Sequence, residues 1–106
     1  MKYDKIVRDR IPEKIRGDNS TCEVSFVENK TAIQYLIKKI HEEADEFEKS
    51  QYSKEELSDI FEVLHAIMDK LKIKESTINQ IRNKKIKENG GFKNNIILKN
   101  VEKANG

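Results

Sequence analysis

The fold is decided by residues 42–59, which have the sequence EEADEFEKSQYSKEELSD. Two pairs of acidic residues, each pair spaced three positions apart, lie on either side of a short polar stretch centred on Gln51: Glu43 with Glu46, and Glu56 with Asp59. Residues three apart lie on one face of a helix. The pattern therefore predicts two helices joined by a tight turn, with the acidic pairs placed symmetrically about Gln51.

Apolar residues recur at helical spacing on both sides of this turn. The first stripe predicts a helix from about Thr31 to Glu48, with Thr31 as its N-cap; it contains Ile33, Leu36, Ile37, Ile40, Ala44 and Phe47. The second predicts a helix from about Ser53 to Lys72; it contains Leu57, Ile60, Phe61, Leu64, Met68 and Leu71. Ser53 and Glu56 also match a capping box, in which the Glu56 side chain returns to the Ser53 amide. The acidic pairs are also typical of metal ligands, so capping and metal binding are competing interpretations of Glu56.

Shorter elements are predicted outside the hairpin. Pro12 favours a helical turn through Glu13–Arg16. A third long helix is expected from Glu75 or Ser76 to Glu88, and the Asn89-Gly90-Gly91 sequence ends it. The alternating segment Thr21–Val27 and the apolar run Ile96-Ile97-Leu98 favour two short strands that could pair.

These elements predict one mainly α-helical domain over residues 1–106, with at most a small two-stranded β element. The two apolar stripes are wider than a contact between two helices can bury. We therefore expect a helical-hairpin bundle that is completed by homo-oligomerisation, with helices packed across the interface.

Composition excludes several classes of protein. A single cysteine, Cys22, cannot form an internal disulfide, and two histidines with one cysteine give no zinc-binding pattern. There is no signal peptide and no apolar run of membrane-spanning length, so we expect a cytoplasmic protein without a membrane partner.

The charges are segregated along the chain. Residues 41–62 have a net charge of −7, whereas residues 1–16 have +3 and residues 70–106 have +7. A basic tail is compatible with nucleic acid, but no interleaved aromatic residues favour base stacking. An acidic centre that binds metal, with basic ends that contact phosphates, explains this distribution better; surface charge on individual helices is the simpler alternative.

In the predicted hairpin the four carboxylates come to one level between the helices. Four like charges repel there unless a divalent cation lies among them, and oxygen ligands favour Mg²⁺ or Mn²⁺. Such a cation could bind triphosphate oxygens and orient a water for attack on phosphorus, with one carboxylate as general base. The set that this hypothesis assigns is Glu43, Glu46, Glu56 and Asp59.

The sequence from Glu42 to Asp59 resembles the EExxE…ExxD signature of the all-α nucleoside triphosphate pyrophosphohydrolases, the MazG-type superfamily. The opening Tyr3–Pro12, YDKIVRDRIP, resembles the "YxKLVRDKIP" start of its phosphoribosyl-ATP pyrophosphohydrolase-like branch. Lys85, Gly90-Gly91-Phe92 and Ile96-Ile97-Leu98 resemble the "K…GGF…IIL" ending of that branch. The resemblance covers nearly the whole chain.

This resemblance implies Mg²⁺-dependent cleavage of a (d)NTP, ordinary or damaged, between the α and β phosphates, giving NMP and pyrophosphate. It implies that the four carboxylates hold the metal and act in catalysis, that Lys39, Arg8 and Lys85 bind substrate, and that the protein is a homodimer or homotetramer. Asn89 and Asn95 stand where similar sequences often carry Arg, which predicts weaker phosphate binding or a changed substrate.

Two alternatives remain open. The first is a phosphoribosyl-ATP pyrophosphohydrolase of histidine synthesis. The second is a non-catalytic helical module that binds a nucleotide or a protein. Arg8 likewise has two interpretations, since it could form a structural ion pair with Asp9 rather than contact substrate.

Overall fold

The computed structural model describes residues 4–104 and is mainly helical over that range. It has four helices: α1 (Ile11–Gly17), α2 (Asn29–Lys49), α3 (Lys54–Leu71) and α4 (Glu75–Asn89). The expected mainly α fold is thus confirmed, and each predicted helix is present near its predicted bounds.

Neither predicted strand is formed within the described residues. Residues 21–27 and 96–98 are irregular, and Phe26 is 96% exposed. An alternating or apolar run becomes a strand only where a neighbouring segment pairs with its backbone. The sequence patterns were compatible with strands but could not supply that partner.

Helix α2 begins two residues before the predicted N-cap Thr31. Glu28 is the last extended residue, and its carbonyl accepts the first helical hydrogen bond from the amide of Ala32 at 2.9 Å. No side chain caps this end. The apolar stripe starts only at Ala32 and Ile33, so the polar first turn carried no periodic signal.

The turn between α2 and α3 is held by a short chain of hydrogen bonds. The Ser50 hydroxyl donates to the Phe47 carbonyl at 2.9 Å, and the Tyr52 amide donates to the same carbonyl at 2.9 Å. Gln51 and Tyr52 adopt positive φ values of 59° and 71°, which reverse the chain within two residues. The Phe47 and Tyr52 rings pack edge to face, with centroids 5.5 Å apart.

Helices α2 and α3 pack against each other and bury a small core of Ala32, Leu36 and Val63. The face of α3 that packs on α2 is not its most apolar one. Val63 is buried and the acidic residues Glu56 and Asp59 are half-buried on the packed side, whereas only Ile60 and Met68 of the main stripe are half-buried. Exposed members of that stripe are Leu57 at 42%, Phe61 at 59%, Leu64 at 43% and Leu71 at 51%.

The chain divides between Ile73 and Lys74 into two compact units. The first contains α1, α2 and α3. The second contains α4, which ends where Gly90 adopts a φ of 82°, a conformation that glycine tolerates without strain. The candidate site lies entirely within the first unit.

Candidate metal centre

Three of the four predicted carboxylates come together between α2 and α3. Glu43 projects from α2, and Glu56 and Asp59 project from α3. One oxygen from each of the three residues lies within 4.8 Å of the other two. The i, i+3 spacing puts the α3 pair on one face, and the register of the turn brings that face opposite Glu43.

Glu43 is the buried member of this group, with 8% exposure, and it is the single buried charged residue in the described part of the chain. Glu56 and Asp59 are half-buried. Burying a carboxylate is costly unless a positive charge lies beside it. The arrangement therefore places a charge where only a cation or a basic side chain can balance it.

The fourth carboxylate, Glu46, lies outside this close group and is exposed. The negative charge of Glu46 still contributes to the raised pKa of Glu56, so Glu46 lies within electrostatic range of the group. Glu46 is one turn nearer the end of α2, and it extends the acidic surface towards solvent.

The pKa of Glu56 is raised above its ordinary value, first by partial desolvation and then by the charges of Glu43 and Asp59. A hydrogen bond with Glu43 also raises this pKa. These causes all penalise the ionised form. The carboxylates of the group therefore repel one another in the absence of a cation.

Hydrogen bonds at the start of α3 separate the two interpretations of Glu56. The Ser53 hydroxyl caps α3 by accepting from the Glu56 amide at 3.3 Å, as predicted. The reciprocal half of a capping box is not made, because the Ser53 amide donates to the Ser50 hydroxyl at 3.1 Å. The Glu56 carboxylate is directed to the acidic group instead.

Lys39 is the basic residue closest to the buried carboxylate. Its ammonium lies 3.4 Å from Glu43 Oε1 and 3.5 Å from Glu42 Oε2, and its side chain is 18% exposed. Burial alone would raise the pKa of Glu42, but hydrogen bonds and positive charge from Lys5 and Lys39 outweigh it and lower that pKa. Lys39 thus partly neutralises the α2 side of the group.

Arg8 contacts the α3 side of the group. Its Nη2 donates to Asp59 Oδ1 at 2.7 Å, which makes an ion pair with a residue of the acidic group. This pair takes the place of the ion pair between Arg8 and Asp9 that was one of the two interpretations of Arg8. The sequence offered no signal for this contact, because the two residues are far apart in the chain and belong to different motifs.

The segment that carries Arg8 is anchored to α2 at two further points. The Tyr35 hydroxyl donates to Asp4 at 3.1 Å, and Lys5 pairs with Glu42 at 3.1 Å. We call residues 4–9 the N-terminal strap, because they cross from α2 to Asp59 on α3. Sequence reasoning did not identify the strap; its dense charge was the one available indication.

The remaining predicted site residue, Lys85, is exposed on α4 in the second unit, and its phosphate-binding role stays a prediction. Tyr3, which opens the N-terminal motif, lies outside the described residues. Among residues 4–104, no helix combines the length and hydropathy that crossing a membrane requires.

The acidic group suits a hard divalent cation. Oxygen ligands on opposite sides of such an ion lie about 4–5 Å apart, close to the 4.8 Å limit within this group. Carboxylates are the ligands that hard cations prefer. The repulsion that raises the pKa of Glu56 is also what a cation would relieve.

Comparison with known proteins adds no assignment. No protein-family model matches the chain, no curated protein matches it, and no solved structure matches it.

Proposed function

We propose that this protein is a Mg²⁺-dependent nucleotide pyrophosphohydrolase that cleaves a (d)NTP between the α and β phosphates. One observation carries the proposal: Glu43, Glu56 and Asp59 converge from two helices within 4.8 Å, a spacing at which three carboxylates could hold one cation. The motif resemblance along the chain supplies the reaction, and Mg²⁺ is the divalent ion that most often accompanies triphosphates.

Each residue has a task in this proposal. Glu43, Glu56 and Asp59 hold the cation, and Glu46 adds a fourth carboxylate at the exposed edge. Held by these residues, Mg²⁺ would supply Lewis acidity towards the phosphate oxygens and the attacking water. One carboxylate of the four would accept the proton of that water as general base.

Basic residues complete the site by offsetting charge on the phosphates. Lys39 and Arg8 already lie beside carboxylates of the group, at 3.4 Å and 2.7 Å. Both are therefore placed to interact with an anion that is bound to the cation. Lys85 is proposed as a third phosphate-binding residue on the strength of the resemblance alone. We further propose that the protein is a cytoplasmic homo-oligomer.

A panel of triphosphates tests the reaction. The protein is incubated with Mg²⁺ and each ordinary or damaged (d)NTP, and with phosphoribosyl-ATP, and pyrophosphate release is measured. Release from a (d)NTP supports the proposal. Turnover of phosphoribosyl-ATP alone assigns the enzyme to histidine synthesis, and nucleotide binding without turnover indicates a non-catalytic module.

Matched variants assign any activity to the site. Glu43→Gln and Glu46→Gln should each lower turnover by at least about a hundredfold, because each removes a carboxylate from the site. Glu48→Gln removes the same charge from an exposed position on α2 and should leave turnover near that of the wild type. Equal activity in all three variants would rule out this site as the origin of catalysis.

A further inference from the structure

The strap and Lys39 together bring two positive charges to the acidic group when no divalent cation is bound. Arg8 contacts Asp59, and Lys39 contacts Glu43, so two of the three clustered carboxylates each have a monovalent basic partner. Their two positive charges equal the charge of one divalent ion. A divalent ion among the carboxylates would repel both basic side chains and make them redundant as counter-ions.

The two basic residues differ in how firmly they are held. Lys39 lies on α2 itself, is 18% exposed and contacts both Glu42 and Glu43. The Arg8 side chain is 58% exposed, belongs to an irregular segment and pairs with a single carboxylate oxygen. An exposed ion pair of this kind contributes little free energy. Of the two basic residues, Arg8 is therefore the one that can be displaced from its carboxylate with a small loss of free energy.

The strap would stay in place when the Arg8 side chain moves. Asp4 accepts a hydrogen bond from Tyr35, and Lys5 pairs with Glu42. Tyr35 and Glu42 both lie on α2, and neither is one of the three clustered carboxylates. The guanidinium would then remain tethered next to the cation site. Its planar array of donors suits phosphate oxygens, which it can bind in a bidentate manner.

We propose that Arg8 exchanges partners: it pairs with Asp59 while the cation site is empty and with a phosphate oxygen of the substrate once the cation is bound. The inference rests on the proposed function, which supplies the cation and the phosphate. It assigns the strap a function in ordering the two binding events, since the phosphate contact becomes available only after the cation has displaced Arg8 from Asp59.

The first test measures binding of Mn²⁺ alone, by isothermal titration calorimetry at low ionic strength. Arg8→Gln removes the competing charge and should bind Mn²⁺ roughly two- to fivefold more tightly, the range that a surface ion pair supports. Arg10→Gln is the matched control. Arg10 lies two positions after Arg8 and forms an exposed ion pair with Glu13, so its substitution removes the same charge from a different ion pair. The control should bind Mn²⁺ like the wild type.

The second test measures binding of inorganic pyrophosphate in the presence of saturating Mn²⁺, which requires no knowledge of the nucleotide base. Arg8→Gln should bind pyrophosphate about tenfold more weakly, because a charge-assisted contact is lost. Arg8→Lys should recover part of both effects. A variant that is merely misfolded would lose both ligands, whereas the exchange predicts opposite changes for the cation and the anion.

The outcomes separate this inference from the proposed function. If the wild type binds no Mn²⁺, the metal site fails and the exchange fails with it. If the wild type binds Mn²⁺ but Arg8→Gln binds it equally or more weakly, Arg8 orients Asp59 instead, and only the exchange is overturned. Unchanged pyrophosphate binding in Arg8→Gln overturns the exchange as well.

Discussion

Glu43 on α2 and Glu56 on α3 present carboxylate oxygens within 4.8 Å of each other across the helical hairpin. A contact between two acids is unfavourable when both are ionised, and the pKa of Glu56 is raised accordingly. The hairpin nevertheless fixes this register through hydrogen bonds of Ser50 and Ser53. The site thus has the property expected of a cation-binding site: the fold brings together carboxylates whose mutual repulsion a cation would relieve.

Replacing Glu56 with Gln should raise the thermal midpoint of the protein in the absence of metal, because the repulsion with Glu43 and Asp59 is relieved. The same substitution should abolish the stabilisation that Mg²⁺ gives the wild type by mass action. Thermal melts with and without Mg²⁺ measure both effects. Glu55→Gln is the control, since Glu55 is an exposed neighbour in the same first turn of α3.

The helix dipole favours an acidic residue at both first-turn positions, so its contribution cancels when Glu55→Gln and Glu56→Gln are compared. If Glu55→Gln and Glu56→Gln shift the melts alike, the repulsion within the group has no thermodynamic weight. If Mg²⁺ stabilises Glu56→Gln as strongly as the wild type, Glu56 is not a ligand.

The pH dependence of stability has a sign that follows from the raised pKa of Glu56. The folded state holds this proton more tightly than the unfolded state, whose Glu has the ordinary value of 4.5. Stability contributed by Glu56 is therefore fully present below pH 4.5 and is lost as the pH rises through the folded-state pKa.

Urea unfolding of the metal-free protein across this window checks the sign. The difference in unfolding free energy between Glu56→Gln and the wild type should be small at the acid end and should grow in favour of the variant as the pH rises. Saturating Mg²⁺ should suppress this growth in the difference. A difference that shrinks with rising pH contradicts the assigned cause.

The sequence predicted the hairpin because helical periodicity and the acidic spacing depend on local geometry. It also predicted the Ser53 cap, which is a contact between residues three apart. It could not predict which face of α3 packs on α2, since Val63, Glu56 and Asp59 flank the more apolar stripe. Nor could it predict the pairing of Arg8 with Asp59, which depends on how a non-helical segment crosses two helices.

Ser53→Ala tests the cap that starts α3. Loss of the hydroxyl removes the acceptor of the Glu56 amide and should lower the free energy of unfolding by about 1 kcal/mol. Ser58→Ala is the control: Ser58 is exposed within α3, where Ala is the better helix former, so this change should be neutral or slightly stabilising. Urea denaturation measures both, and equal effects would show that the Ser53 hydroxyl has no special role.

Phe61 lies at the centre of the exposed apolar stripe of α3, with 59% of its surface accessible in the single chain. Leu57 and Leu64 lie beside it, one turn or less away, and are also exposed. A contiguous apolar face of this kind is characteristic of a protein interface. It supports the prediction that two or more copies of the chain pack their hairpins together.

Phe61→Glu should therefore shift the protein towards the monomer while leaving its helical circular dichroism unchanged, because Phe61 is not part of the buried core of the chain. Fully burying one Phe contributes about 2–3 kcal/mol, and a symmetric dimer contains two copies, so dissociation should become easier by roughly a thousandfold or more. Sedimentation velocity across micromolar concentrations measures the change. Gln34→Glu adds the same charge at an exposed position of α2 and should leave the assembly intact. If the wild type is monomeric at all concentrations, the prediction of an oligomer is wrong. If Phe61→Glu still assembles, the interface lies on another surface.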